Sequence, residues 1–329
     1  MSLNVTQWDE ATQLVRQAQR ILVVTHVSPD GDAIGSMLGI GHALKQMGKT
    51  VTQAVDGGTP AYLGFIPGSD FVHSQLTQGQ WDLMIATDCG DDTRYGEVGK
   101  YGASHSDKTV NIDHHGTNNL FGDVQLVTSA AVSATEIVFR WLQHMGHVID
   151  KDVAYPLLTG LVTDTLGFRT SNVTADTLAI AQELIAAGVS LASVTENALD
   201  HRTYDTIELW KRALPSTQLD GAIIYATITQ QDYQAVGLED VTDGGLVSFL
   251  ARVSEAVISV VFKEKADGSV EISMRSRPGF DVSGVALELG GGGHPQAAGA
   301  TIEGPLDVAK DRVLSLVKKA ARKGKRIVV

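Results

Sequence analysis

The sequence predicts an α/β protein, with an N-terminal parallel-sheet domain followed by a smaller mixed α+β domain. Three observations predict it. A chain of 329 residues is about two domains long. Over the first two hundred residues short β-branched runs alternate with stretches of helical spacing, as strand, crossover and parallel strand require. Beyond residue 217 two strand-like runs flank a tight-turn signal, which belongs to an antiparallel pairing.

The elements follow in order. Residues 21–25 (ILVVT) form a continuous apolar run and read as a strand buried on both faces. After the loop HVSPDGDA, residues 34–47 have helical periodicity and stop at Gly48. Residues 51–55, 83–87 and 109–112 are further strands, separated by enough chain for crossovers. Residues 129–145, 153–163, 174–187 and 190–200 read as helices and close a first domain at residue 195. Residues 196–217 are polar with helical spacing and end near Pro215, so they are expected to form a helical connector. The second domain, 218–329, begins with an alternating strand at 222–228. Strands at 257–265 and 269–275 flank Ala-Asp-Gly, and helices are expected at 244–254, 281–289 and 306–322. The chain contains no internal repeat and no low-complexity tract.

Composition excludes several classes. The single cysteine can form neither an intramolecular disulfide nor a thiolate zinc site, so a reducing, cytoplasmic setting is expected. The first twenty residues are polar and amphipathic, and no apolar run approaches about 18 residues, so neither secretion nor a membrane partner is expected. The net charge of -12 argues against a protein that coats nucleic acid. The surplus is unevenly spread, however. Residues 1–200 hold 22 acids and 10 bases, whereas residues 251–329 hold 13 bases and 9 acids. The final segment is free to meet an anion.

Four separated segments carry carboxylates or histidines at places where a strand is expected to give way to a loop. They are His26-Val-Ser-Pro-Asp30-Gly-Asp32, Asp88, Asp113-His114-His115 and Asp164 in Leu-Val-Thr-Asp-Thr. Open parallel sheets bind ligands beyond the carboxyl ends of their strands, and three of these segments follow strands directly. A lone aspartate there is as readily a helix cap, and a lone histidine is as readily structural. The shared placement singles out the set. Several aspartates converging on one edge raise one another's pKa unless a cation intervenes. Oxygen and imidazole donors without sulfur exclude soft-metal sites, and the histidines argue against magnesium alone. Manganese fits best, with iron, cobalt or zinc able to substitute. Six donors exceed the needs of one ion, so two divalent ions are expected.

These segments, with Thr163 to Phe168 (TDTLGF) and the run Gly290-Gly-Gly-Gly-His294-Pro-Gln-Ala-Ala-Gly299, resemble the DHH phosphoesterase family and its DHH-associated C-terminal domain. The motifs extend from residue 26 to residue 299 in the family's order. Leu166 stands where a glycine is more usual and Leu289 where an aromatic is common; neither is a proposed ligand. The short two-domain pattern is most similar to the nanoRNases, oligoribonucleases that also dephosphorylate 3′-phosphoadenosine 5′-phosphate. The resemblance implies that His26, Asp30 and Asp88 hold one metal and that Asp32, Asp88, His114 and Asp164 hold the other, with Asp88 bridging. It implies that Asp113 orients the histidine pair and that His115 faces the substrate phosphate.

In the second domain, the glycine run at residues 290–294 is expected to be flexible backbone with N–H groups open to phosphate or base, through Gly291, Gly292 and Gly293, with His294 as a further donor. Arg275 and Arg277 leave a strand just upstream, and a guanidinium can fork onto phosphate or stack on a base. The expected partners are short single-stranded RNA oligonucleotides or small nucleotides, and a homodimer is compatible with this reading. The low aromatic content, 6%, offers no long stacking track. The competing readings are a cyclic or linear dinucleotide phosphodiesterase, a manganese pyrophosphatase, which the GGGH segment argues against, and an inactive nucleotide-binding regulator, which the complete ligand set argues against.

Overall fold

The computed structural model describes residues 5–239 and 241–324. The chain divides into two compact units, Met1–His201 and Arg202–Val329.

In the first unit the apolar runs become five strands: β1 (Arg20–Thr25), β2 (Thr50–Ala54), β3 (Leu83–Thr87), β4 (Thr109–Asp113) and β5 (Val124–Val127). All pair in parallel in the order β2-β1-β3-β4-β5. Successive side chains feed opposite faces. Ile21, Val23, Leu83, Ile85, Val110 and Ile112 enter the larger core, while Leu22, Val24, Met84 and Ala86 enter a smaller one. The helices are α1 (Val5–Gln17), α2 (Gly31–Gln46), α3 (Gly96–Ser104), α4 (Ala134–His144), α5 (Lys151–Asp164), α6 (Ala175–Ala186) and α7 (Leu191–Thr195). Helix α2 is apolar on nearly every side, as a helix surrounded by protein must be. Strand β5, a four-residue edge, and α3 are too short to stand out in the sequence pattern. The helix expected from residue 129 begins at Ala134, because Ser133 is extended and its hydroxyl caps the Glu136 N–H.

The second unit carries α8 (Tyr204–Ala213), β6 (Gln218–Asp220), β7 (Ile223–Ile228), α9 (Gln230–Val236), α10 (Leu246–Leu250), β8 (Ile258–Glu264), β9 (Val270–Ser276), α11 (Ser283–Glu288), β10 (Gly292–His294), β11 (Ala297–Ile302) and α12 (Leu306–Lys323). Its six-stranded sheet, β10-β11-β9-β8-β7-β6, is antiparallel except where β7 meets β8. Helices α11 and α12 cover one face. On the other face α8, α9 and α10 cover β7 and β8. Within residues 196–217, Glu196–Asp200 lies in the first unit, while α8 buries Leu209 and Ala213 in the second. The helix expected at 244–254 shrinks to five residues: Gly244 and Gly245 both take positive φ, and the Asp243 carboxylate accepts from the N–H groups of Gly245 and Val247. Among the described residues no single helix is long and apolar enough to cross a membrane.

Candidate metal centre

The strand order reverses between β1 and β3, the kind of switch point where an open α/β sheet leaves a crevice. Thr25 pairs with Thr87 and Thr87 with Ile112, so His26, Asp88 and Asp113 emerge side by side. The His26 Nδ1 lies 2.8 Å from the Val27 carbonyl. A carbonyl can only accept, so Nδ1 carries the hydrogen and Nε2 is left to face Asp88 Oδ2 at 3.4 Å. Asp88 itself takes a left-handed φ of 55°, rare for a non-glycine residue. Its N–H donates to the Ile112 carbonyl at 2.8 Å. Asp30 does cap α2, as the simpler reading has it: one carboxylate oxygen accepts from Asp32 N and Ala33 N at 3.0 and 3.1 Å. It nonetheless groups with His26 and Asp88, so capping and ligation are compatible.

Asp32 and Asp164 are brought together by helix packing. Gly31, Gly35 and Gly39 form a smooth ridge on α2 against which α5 runs antiparallel. A Cβ at Gly35 would stand 2.5 Å from the Pro156 carbonyl, and one at Gly31 would stand 2.5 Å from Thr163 Cγ2. Gly160 on α5 is equally tight against Thr135 and Asp32. This approach sets the start of α2 beside the end of α5. The fully buried Asp32 carboxylate accepts from Ala134 N at 2.6 Å and Thr135 N at 3.0 Å, the first amides of α4. His114 Nε2 lies 3.2 Å from Asp164 Oδ2, 3.6 Å from Asp88 Oδ1 and 3.9 Å from Asp32 Oδ2.

The resulting charge density is unstable without a cation. Burial and the neighbouring Asp30 raise Asp32 to about 6, against the opposing amide hydrogen bonds. Burial, then Asp32 and Asp30, push Asp88 and Asp164 well above the usual carboxylate range. Among the described residues the buried Asp88 Oδ1 has no hydrogen-bond partner. A buried carboxylate oxygen with no donor is costly, and its own mix of oxygen and imidazole neighbours suits a divalent metal of borderline hardness. Two donor groups stand on either side of it: His26, Asp30 and Asp88, and Asp32, His114 and Asp164. Cys89, buried next door, belongs to none of the donor groups among the described residues, and burial and the adjacent Asp88 raise its thiol pKa.

His115 and Asp113 form a further pair, grouped with Asp88. His115 Nδ1 lies 2.7 Å from Asp113 Oδ1 and 3.5 Å from Asp88 Oδ1. Burial would raise Asp113, but hydrogen bonds from His115 and Asn118 hold it below its ordinary value. Burial would lower His115, but the Asp113 hydrogen bond and the Asp88 charge raise it. Sequence reasoning missed the polar side chains beneath this pair, Asn111 and Asn118. The signal was present in the strand TVNI, whose asparagine is fully buried. It also missed the Gly31, Gly35, Gly39 spacing, which marks a close helix approach.

In the second unit Arg275 on β9 pairs with Ala297 on β11, and Ala297 pairs with His294 on β10, so Arg275 and His294 share one row on one face. The next row, Ser273, Gly299 and Gly292, is a shelf of small residues. Arg277 stands apart from this row and donates to the Val253 carbonyl at 3.0 Å. The expectation of flexible backbone at residues 290–294 is corrected. The N–H groups of Gly290 and Gly291 donate to carbonyls at the end of α11, and residues 292–294 are a strand. Gly291 and Gly293 are required by close approach, since a Cβ at either would meet the β11 backbone.

Residues 20–161 match the DHH family, N-terminal domain, and residues 222–323 match the DHHA1 domain. The chain is 36% identical over 304 residues to the bifunctional oligoribonuclease and PAP phosphatase NrnA of Thermus thermophilus, covering 91% of this chain and 89% of that one. A crystal structure of an exopolyphosphatase-related protein from Bacteroides fragilis is similar with a TM-score of 0.89 at 25% identity, covering 96% of each chain. RecJ in complex with Mn2+ from Thermus thermophilus is similar with a TM-score of 0.54 at 15% identity, over 97% of this chain and 56% of that one, a likeness of fold alone.

Proposed function

Because the chain belongs to the DHH family of phosphoesterases, carrying the family's N-terminal domain followed by a DHHA1 domain, we propose that it hydrolyses short oligoribonucleotides to mononucleotides and 3′-phosphoadenosine 5′-phosphate to AMP, using two manganese ions. The observation that carries this reading is Asp88. Its Oδ2 turns toward His26 and its Oδ1 toward His114, and the latter oxygen has no hydrogen bond. A carboxylate held between two donor groups in this way suits a bridging ligand. His26 and Asp30 would complete one site; Asp32, His114 and Asp164 would complete the other. Manganese suits the mix of oxygen and imidazole donors, and the two activities are those named for the Thermus relative.

When bound, the ions would supply positive charge at the scissile phosphate and acidify the attacking water. The chain's own groups do the rest. His115 gives its Nδ1 hydrogen to Asp113, and the raised pKa this contact helps produce favours the imidazolium, whose second N–H would donate to a phosphoryl oxygen, where a donor is worth most as equatorial charge develops. In the second unit, the row of Arg275 and His294 beside the small-residue shelf is suited to phosphate or base.

The test is a manganese-dependent rate panel of 3′-phosphoadenosine 5′-phosphate, di- to pentanucleotides, a cyclic dinucleotide and pyrophosphate. Dinucleotides and 3′-phosphoadenosine 5′-phosphate should turn over fastest. Preferential cleavage of the cyclic dinucleotide or pyrophosphate, or no turnover at all, overturns the assignment.

A further inference from the structure

We propose that Asn118 is a positioning residue of the metal centre, a clamp whose side-chain amide ties the end of β3 to the end of β4 and so sets where Asp88 and Asp113 stand. The inference rests on the metal-centre reading above. Asn118 lies in the loop after β4, half-buried. Its Oδ1 accepts from Leu120 N at 2.6 Å, which turns Nδ2 inward. That nitrogen lies 2.6 Å from Asp113 Oδ2, 2.9 Å from Asn111 Oδ1 and 3.0 Å from the Cys89 carbonyl. The buried Asn111 amide donates to the same Cys89 carbonyl at 3.0 Å.

Each contact restrains a neighbour of the centre. Cys89 follows Asp88, whose N–H is held by the Ile112 carbonyl, and the two amides on the Cys89 carbonyl add a second tie on the other side of this left-handed residue. Asp113 precedes His114 and accepts from His115 through Oδ1. With Oδ2 held by Asn118, the carboxylate cannot rotate, and its first oxygen stays aimed at His115. Hydrogen bonds to a carboxylate are the stronger kind, and a buried one left half-satisfied moves to find a partner. Groups behind a metal's ligands typically change affinity or activity 10- to 100-fold when removed.

The alternative is that Asn118 only builds its loop, through the Leu120 contact. Asn118→Asp separates the two. It keeps an acceptor for Leu120 N but sets an oxygen against the Asp113 carboxylate. It also adds negative charge near the centre, which by Coulomb attraction alone would tighten cation binding. Mn2+ binding is read from the electron paramagnetic resonance signal of the free ion, with circular dichroism to show that each variant is folded. We expect Asn118→Asp and Asn118→Ala to bind Mn2+ about 10- to 100-fold more weakly than wild type. At saturating Mn2+ their kcat on a dinucleotide should fall while KM stays within about threefold. Wild-type or tighter Mn2+ binding by Asn118→Asp overturns the proposal. If that variant does not fold, wild-type affinity in Asn118→Ala overturns it equally. The binding readout needs no substrate, so failure of the wild type to cleave oligonucleotides would sink the substrate assignment while this test still decides the clamp.

Discussion

Asp88 shows how a single residue sets stability against function. Its buried, unpartnered oxygen and its raised pKa are costs in the metal-free protein and an asset once a cation arrives. Asp88→Asn should therefore lower turnover at least about 100-fold, yet leave the chelated protein as stable as wild type or more so, because an amide takes no part in the crowding with Asp32 and Asp30 that raises this carboxyl. Comparing rates with manganese and thermal unfolding in chelator checks both halves. The pH dependence has a defined sign. Asp32 is raised to about 6 from 3.8, so the folded state holds a proton that the unfolded state has lost, and stability falls as pH rises between these values. The raised His115 acts in the same direction at higher pH. Chelated protein should be less stable at pH 7 than at pH 5 by about 1 kcal/mol from Asp32 and should unfold at a lower temperature. Manganese should reverse the trend, since binding displaces protons. A higher unfolding temperature at pH 7 without metal would contradict the charge crowding.

Among the elements, α2 and α5 matter most to the centre. The glycine ridge lets their backbones meet, and this meeting sets Asp32 beside Asp164. Gly35→Ala would press a methyl to 2.5 Å from the Pro156 carbonyl. Backbone cannot swing away like a side chain, so the helices must separate. The expected cost is about 1–3 kcal/mol, with Mn2+ affinity falling as well. Thermal unfolding and a Mn2+ titration of the same variant check this, and an unchanged titration would detach the ridge from the site. Strands and helices with strong patterns, such as β1, β3, α2 and α12, were legible in the sequence. The glycine run was not: four glycines permit a mobile loop, and only pairing with Ala297–Gly299 selects a strand.

Across the whole molecule the charge is divided, and the work is expected to divide with it. Of the 22 acids in residues 1–200, Asp30, Asp32, Asp88, Asp113 and Asp164 gather where a metal would offset them. The second unit carries the Arg275 and His294 row. Burial weakens Arg275's hold on its proton, with Asp243 partly restoring it, and a guanidinium in that setting remains charged and able to fork onto an anion. Arg275→Ala should raise KM for a dinucleotide about tenfold or more, while a phosphate monoester lacking a base changes little. Equal effects on both substrates would remove the second unit from substrate recognition.

By itself the sequence determined the α/β class and which residues stand at strand ends, because hydrophobic periodicity and the residue after a strand are local properties. It also determined the donor chemistry, since oxygen and imidazole without sulfur needs no coordinates. Only the tertiary structure decided that Asp88 turns one oxygen to each donor group, that Asn118 reaches back to Asp113 and the Cys89 carbonyl, and that Asp32 meets both Asp164 and the first amides of α4. These are contacts between segments from five to more than a hundred residues apart. They depend on helix separations and side-chain rotations that differ by an ångström or less, and no periodicity in the sequence encodes that scale.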